Sequence, residues 1–515
     1  MAIHILMYVT LMLMTVPTDI TAKTIVFYPP PLTSYLVYQT NVAGALARLG
    51  HDVWICVPKS LMSKDLVQDT GVKVLTYGDY LGDIVRKVYE NTRVADQFWA
   101  NETAFSLAIW LDVCAEFNKI ADVVLADKSF IEVRSLKPDL IVLESIIFNL
   151  NMVVLPYSLG VPFALIGTFH EAVLSKVPFS PASTPYPLLD FSDRMTFFQR
   201  IQMTLFCLVR MNFELFYDSS LVAKFATHKP YKTISELVTE AEIFIAEVDH
   251  ILDYPRTVLP NTKLIGGSSS SPAKPLTREF RKFVDESENG IIVMSFGSSV
   301  ANVPSYIVSK IASAFRQLDL RVVWNIDEVS PDPKKILTSK WIPQNDLLGH
   351  EKTKLFVSHC GKNGQYEALY HGVPILCLPI YGDQPYNSER VVVKQFGLRA
   401  DMRQASADEL AAMMEEIIFN KTYTENIKKA SRLYRELYKD PKQEAAYWLD
   451  HVVKYGGEYM RSPGQQMPWY QLLVLDIIAF LVVVVTAISL TTYLFLKWCY
   501  RAFRCGQQNV KRKRE

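Results

Sequence analysis

Leu355 to Val357 is a short apolar run that empties into His359-Cys360-Gly361-Lys362-Asn363-Gly364; Gln365 to Tyr370 then has a helical pattern, and Pro374 to Pro379 is a second apolar run. Buried strand, glycine-containing turn, helix and second strand make a βαβ unit, which commits this half of the chain to a parallel sheet. A strand-to-helix turn presents free backbone N–H groups and a positive dipole end to an anion. Two glycines let a bulky phosphate approach the backbone closely. Glu367, about one helical turn further on, can reach a sugar hydroxyl. The second strand delivers Asp383 and Gln384 to its C-terminal end, where open α/β sheets bind ligands. This chemistry is that of a nucleotide-phosphate site.

The same alternation recurs nearer the start. Lys23 to Pro29 is strand-like, Tyr35 to Leu49 has helical spacing, Gly50-His51-Asp52 makes a turn, and Val53 to Val57 returns as a strand. Asp139 to Glu144 and Pro162 to Gly167 repeat the pattern less cleanly, and Met195 to Tyr217 reads as helix. A Ser-rich break from Gly266 to Pro275 separates this region from a second α/β unit beginning near Ile291. With 515 residues, 50% of them hydrophobic, the chain can bury two cores of ordinary size. Its net charge of +1 argues against a nucleic-acid partner.

Both ends are specialised. Residues 1–22 form an apolar leader ending in Thr21-Ala22, which reads as a secretory signal peptide. Ile477 to Leu496 is an uncharged run long enough to cross a bilayer, flanked by Trp469-Tyr470 and Lys497-Trp498 as interfacial anchors. The basic tail beyond it, Lys511-Arg512-Lys513-Arg514 included, sets residues 497–515 on the cytoplasmic side and the bulk of the chain in the lumen, a type I topology. Lys511 and Lys513 resemble the lysine signal that retrieves membrane proteins to the endoplasmic reticulum; contact with anionic lipid heads is a compatible reading. Asn101-Glu102-Thr103 and Asn420-Lys421-Thr422 are glycosylation sequons. The 7 cysteines contain no CxxC unit, so buried thiols are expected rather than zinc or a disulfide framework.

The stretch WIPQNDLLGHEKTKLFVSHCGKNGQYEALYHGVPILCLPIYGDQ, Trp341 to Gln384, resembles the signature of the UDP-glycosyltransferases of the glucuronosyltransferase type. The resemblance implies that Trp341 stacks on uracil and Gln344 meets the base. His359 would touch the pyrophosphate, with Asn363 and Gly364 in the turn; Glu367 would grip the ribose, and Asp383 and Gln384 would read the sugar hydroxyls. Upstream, Ile291 to Ser298 is similar to the family's strand-to-Gly-Ser turn, with Ser298 near the phosphates. The family architecture is GT-B: two Rossmann-like domains facing a cleft, here followed by one C-terminal transmembrane helix. The expected boundaries are 23–265 for the acceptor domain, 266–290 for a linker and 291–440 for the UDP-sugar domain. A return helix and juxtamembrane segment would fill 441–476, and the span 477–496.

The match departs at the catalytic base. Family members use a His after the first strand, oriented by an Asp. At the family's fixed distance before Gly50-His51 this chain has Ser34-Tyr35-Leu36, and the Asp position falls on Glu144. Tyrosine, with a reference pKa of about 10, is protonated near neutrality and a poor base. Three readings stay open. Acceptors that are already nucleophilic, amines or acidic phenols, need no strong base; His170, just past the strand ending at Gly167, could serve instead; or the chain binds the nucleotide sugar without transferring it, as a regulatory partner of active relatives. A lipid- or hydroxyl-conjugating transferase with a remodelled acceptor side is a further variant.

The resemblance thus implies an endoplasmic-reticulum membrane enzyme that moves glucuronic acid or glucose from UDP-glucuronic acid or UDP-glucose to a small lipophilic acceptor, inverting the anomeric carbon. No metal and no permanent cofactor are expected, since a helix end and His359 can answer the diphosphate charge and no carboxylate pair offers itself to Mg²⁺. An oligomer with itself or with related transferases is left open.

Overall fold

The computed structural model describes residues 22–64, 66–68, 70–78, 99, 107–212, 215–297 and 303–512. The leader up to residue 21, the sequon at Asn101 and the turn residue Ser298 lie outside the described residues. Two compact units are present, Met1–Arg461 and Ser462–Glu515.

The first unit holds two sheets whose described strand pairs all run parallel. The first contains β1 (Thr24–Tyr28), β2 (Asp52–Pro58), β3 (Lys73–Tyr77), β4 (Leu140–Glu144), β5 (Phe163–Gly167), β6 (Phe244–Ala246) and β7 (Thr262–Leu264), in the order β3-β2-β1-β4-β5-β6-β7. The second contains β8 (Ile291–Ser295), β9 (Arg321–Asn325), β10 (Ile336–Ser339), β11 (Thr353–Ser358), β12 (Ile375–Cys377) and β13 (Gly397–Arg399), in the order β10-β9-β8-β11-β12-β13. In each sheet the order reverses between two central strands, β1 and β4 in one, β8 and β11 in the other. Loops leaving the C-terminal ends of such a pair diverge and open a crevice.

Helix α1 (Thr33–Arg48) turns Leu36, Val42, Ala43 and Leu46 onto the first sheet, where Phe27, Ile55 and Val142 meet them. Helix α2 (Phe197–Met211) starts at a capping box of Thr196 and Gln199, and stops short of the expected Tyr217. The segment expected as a linker, 266–290, carries α3 (Arg278–Asp285). Phe280 and Val284, one turn apart, seat α3 in the core of the second sheet with Val293 and Phe356, so this stretch packs as part of the second domain. Helix α4 (Lys362–His371) follows β11 and ends at Gly372 in the left-handed region (φ 72°); α5 (Gln384–Val393) follows β12.

Helix α6 (Pro441–Tyr455) returns to the first sheet, burying Ala445, Ala446, Leu449 and Val452 in its core. The two larger aliphatic chains stabilise this docking by roughly 1.5–3 kcal/mol each. His51, in the turn after α1, adds a 2.9 Å bond to Asp450.

The second unit contains α7 (Leu475–Arg512), one continuous helix. Leu475–Arg504 is long and apolar enough to cross a membrane. The helix runs past Leu496, where the expected span ends.

Candidate functional site

Sequence-predicted donor residues gather at the crevice of the second sheet. Gly297, just past β8, has φ +68°, and a Cβ there would lie 2.8 Å from the His359 ring. Gly361 is equally constrained: a Cβ would come within 2.4 Å of His359 Nε2. These two glycines let the imidazole lie flat across both turns. With the Nδ1 atom shut from water, burial pushes the His359 pKa down to about 4. In the empty site the ring is therefore neutral at pH 7, and it can meet an anion as a hydrogen-bond donor.

Helix α4 begins directly after Gly361, so its unpaired N–H groups face the same crevice. One turn in, the Glu367 carboxylate accepts a 2.5 Å bond from Gln344 Nε2. Gly364 keeps that space open, since a Cβ would crowd Phe356 at 3.1 Å and Gln344 at 3.3 Å. Burial raises Glu367 to about 7, with Gln344 opposing the shift and Asp346 adding to it. The backbone carbonyl of Asn363 accepts from Ser269 Oγ at 3.4 Å. Trp341 is 69% exposed, which leaves surface for stacking.

Asp383 precedes α5 and accepts from Asn387 Nδ2 at 2.5 Å, while the same amide donates to the Cys360 carbonyl at 3.0 Å. Burial raises the Asp383 pKa against that hydrogen bond. Gln384 turns its amide oxygen inward onto the N–H groups of Ile380 (2.8 Å) and Tyr381 (3.2 Å), so it shapes the turn as well as bordering the site. Cys360 and Cys377 form a disulfide, which corrects the expectation of thiols at these two positions. Cys360 lies just beyond β11, and Cys377 pairs in register with Ser358 on the neighbouring strand, so parallel pairing brings the two together. Cys56, Cys114 and Cys207 are free and buried.

On the first sheet, Tyr35 sits in the first turn of α1 with its ring edge-on to Tyr38 at 6.1 Å. Glu144 closes β4 fully buried, and accepts from Gln39 Nε2 at 3.1 Å. Gln39, one turn after Tyr35, is a residue the motif comparison missed. Burial raises the Glu144 carboxyl well above its ordinary range, and the charge of Glu247 at the end of β6 adds to this. His170 is buried with neither ring nitrogen hydrogen-bonded among the described residues, and burial, then Arg256, lowers it to about 3 against the pull of Asp253. A group shifted this far down is a poor match for a general base working near neutrality.

Between the sheets lies a buried ionic cluster that the motif comparison also missed. Asp253 pairs with Arg256 at 2.8 Å and Arg390 at 3.3 Å and accepts from the Tyr386 hydroxyl. Burial pushes its carboxyl up, but the two guanidinium groups overcome this and hold it ionised. Lys362, the first residue of α4, joins the cluster. Its charge inside an anion-binding turn was the available sequence signal.

A family model described as UDP-glucoronosyl and UDP-glucosyl transferase matches residues 25–512. The chain is 29% identical over 511 residues to human UDP-glucuronosyltransferase 2B15, covering 94% of each. It is 35% identical over 346 residues to rat UDP-glucuronosyltransferase 2B1, covering 66% of this chain and 65% of the relative. Among solved structures, the calicheamicin glycosyltransferase CalG4 superposes with a TM-score of 0.57 at 14% identity, over 84% of this chain and 99% of that one. Phytolacca americana UGT2, complexed with UDP-2fluoro-glucose and pterostilbene, gives 0.53 at 16% identity, over 84% and 100%. The architecture is GT-B, with two parallel-sheet Rossmann-like domains.

Proposed function

The chain belongs to the UDP-glucuronosyl and UDP-glucosyl transferase family, and from that membership we propose that it transfers glucose or glucuronic acid from the UDP-sugar to a small lipophilic acceptor with inversion. It is a UDP-sugar glycosyltransferase. The observation that carries the donor assignment is the convergence of His359, the α4 N-terminus and the bonded Gln344–Glu367 pair on one crevice. Trp341 and Gln344 hold the base, Glu367 the ribose, the α4 N–H groups with His359, Asn363, Gly364 and Ser298 the diphosphate, and Asp383 with Gln384 the sugar.

The acceptor atom attacks the anomeric carbon from the face opposite the diphosphate. The new glycosidic bond forms as the bond to the β-phosphate oxygen breaks, and UDP carries off the electron pair. Helix-end N–H groups and His359 stabilise the charge that develops on that oxygen. The acceptor proton passes to solvent water on the Tyr35 side. Because tyrosine is a weak base and burial shifts the Glu144 carboxyl upward, acceptors with intrinsic nucleophilicity, amines and low-pKa phenols, suit this site best.

We place the enzyme in the endoplasmic-reticulum membrane, type I, on the apolar helix Leu475–Arg504, the basic tail and the N-terminal leader. Glycosylation at Asn101 or Asn420 would follow from that lumenal placement. Asn420 also caps the helix beginning at Lys421, through its side-chain oxygen to Thr422 N at 3.1 Å. Incubation of the membrane-bound chain with radiolabelled UDP-glucose or UDP-glucuronic acid and mixed amines, phenols and alcohols tests the proposal. Acceptor-dependent UDP release is expected. UDP binding without release, with every donor and acceptor, would refute transfer.

A further inference from the structure

Lys362 is placed at odds with its own helix. It is the first residue of α4, where the dipole repels a cation, and it is only 5% exposed. What compensates lies across the cleft. The Nζ donates to the carbonyl of Thr168, just past β5 of the first sheet. The same nitrogen stands 4.5 Å from the Phe169 ring and 5.8 Å from that of Tyr366. Glu247 and Asp253 contribute negative charge; Arg390 and Arg256 contribute positive.

The loop that Lys362 holds borders the acceptor side. Thr168 and Phe169 lead into His170, which with Ser145 and Glu171 lines a cavity at the C-terminal ends of β4, β5 and β6. Thus one side chain, rooted in the expected diphosphate turn, grips the wall beside Glu144. We propose that Lys362 is a positioning residue that couples donor occupancy to the acceptor side: a diphosphate at the α4 N-terminus strengthens the ammonium's grip on Thr168 and Phe169 and so fixes the 168–170 loop. Nearby phosphate charge favours the ammonium over the neutral amine, and only the ammonium offers a charge-assisted bond and a cation–π contact. Burial, then Arg390, lowers Lys362 to about 7 against Asp253 and Glu247, so the empty site leaves room for this response. The inference rests on the donor assignment above.

The test is amide hydrogen exchange of Phe163 to Val177 in the full-length chain in detergent, with and without UDP, alongside UDP affinity by calorimetry. UDP should slow exchange at 168–171 several-fold in the unaltered chain and leave it unchanged in Lys362→Met. Lys362→Arg, permanently charged, should be protected with or without UDP. UDP affinity in Lys362→Met should stay within about tenfold, less than 1.4 kcal/mol. If Lys362→Met does not fold by near-ultraviolet circular dichroism, Lys362→Gln replaces it. Equal protection by UDP in the neutral variant would overturn the coupling. So would a loss of UDP affinity beyond tenfold, which would make Lys362 a direct phosphate ligand. Failure of the unaltered chain to bind UDP would sink the donor assignment and the coupling with it, whereas normal binding with unchanged exchange would sink the coupling alone.

Discussion

Replacing Glu367 by Gln should flatten the pH dependence of donor binding. Burial holds the Glu367 carboxyl at about 7 despite the 2.5 Å bond from Gln344. A ribose hydroxyl prefers the ionised form, so the bound state favours proton loss and affinity must weaken as pH falls through that value. If only the carboxylate binds well, affinity drops about tenfold per pH unit below it, near tenfold from pH 8 to pH 6. UDP-glucose is the right probe, because its diphosphate is esterified at both ends and does not titrate in this range. Calorimetry should show the affinity of the unaltered chain falling toward low pH by near tenfold relative to Glu367→Gln, whose own pH dependence comes from Lys362. Glu367→Ala should cost about 1.5–3 kcal/mol, a loss of roughly 10- to 100-fold in affinity. Stability should move in the opposite sense. A carboxyl raised on folding contributes stability that is fully present below the unfolded value near 4.5 and is lost as pH rises through about 7. Glu367→Gln should therefore raise the melting temperature more at pH 8 than at pH 5. A common pH slope for the unaltered chain and Glu367→Gln, or unchanged affinity in Glu367→Ala, would refute the placement of Glu367 on the ribose.

Three further outcomes are expected. Non-reducing peptide mapping should recover the Cys360–Cys377 cross-link, and Cys377→Ala should lower unfolding stability by about 3 kcal/mol, the loop-closure value for a ring of roughly this size. Ending the chain before Leu475 removes the apolar helix and should yield protein in the soluble fraction after ultracentrifugation. Tyr35→His should raise turnover of aliphatic alcohols within the ~10²–10⁴-fold that a positioned base contributes, while Tyr35→Phe leaves amine acceptors unaffected; efficient alcohol conjugation by the unaltered chain would contradict this.

Much of the fold was legible because doubly wound sheets bury their strands on both faces. Apolar runs such as Ile291 to Met294 and Leu140 to Leu143 therefore stand out, and each became a central strand. Helix α3 was not legible. Its eight residues, REFRKFVD, are mostly charged, and only Phe280 and Val284 mark a buried face. The disulfide escaped for a topological reason: Cys360 and Cys377 are distant in any metal- or redox-motif spacing and become neighbours only once β11 and β12 pair. The candidate donor residues could be read as one group since most lie on one continuous βαβ segment, where local geometry fixes their mutual placement.

The acceptor side behaves differently, because its pieces come from separate strands. Gln39 and Glu144 stand 105 residues apart and meet only because β1 and β4 are adjacent in the sheet, which puts α1 over the end of β4. That contact changes the meaning of the departure at Tyr35. Had Tyr35 been the sole departure from the family pattern, Tyr35→His alone would restore a base–carboxylate pair. Here Gln39 already draws on Glu144, and burial with the Glu247 charge shifts the carboxyl upward, toward its neutral form. A carboxyl disfavoured in its ionised form is a weaker partner for the imidazolium that a His base becomes. Recovering alcohol chemistry in full should therefore need Glu144→Asp, and a residue at 39 that leaves the shorter carboxylate to the new imidazole, together with Tyr35→His. The triple variant exceeding Tyr35→His alone on an aliphatic alcohol is the expected result; equal rates would show that Gln39 and Glu144 do not govern the base.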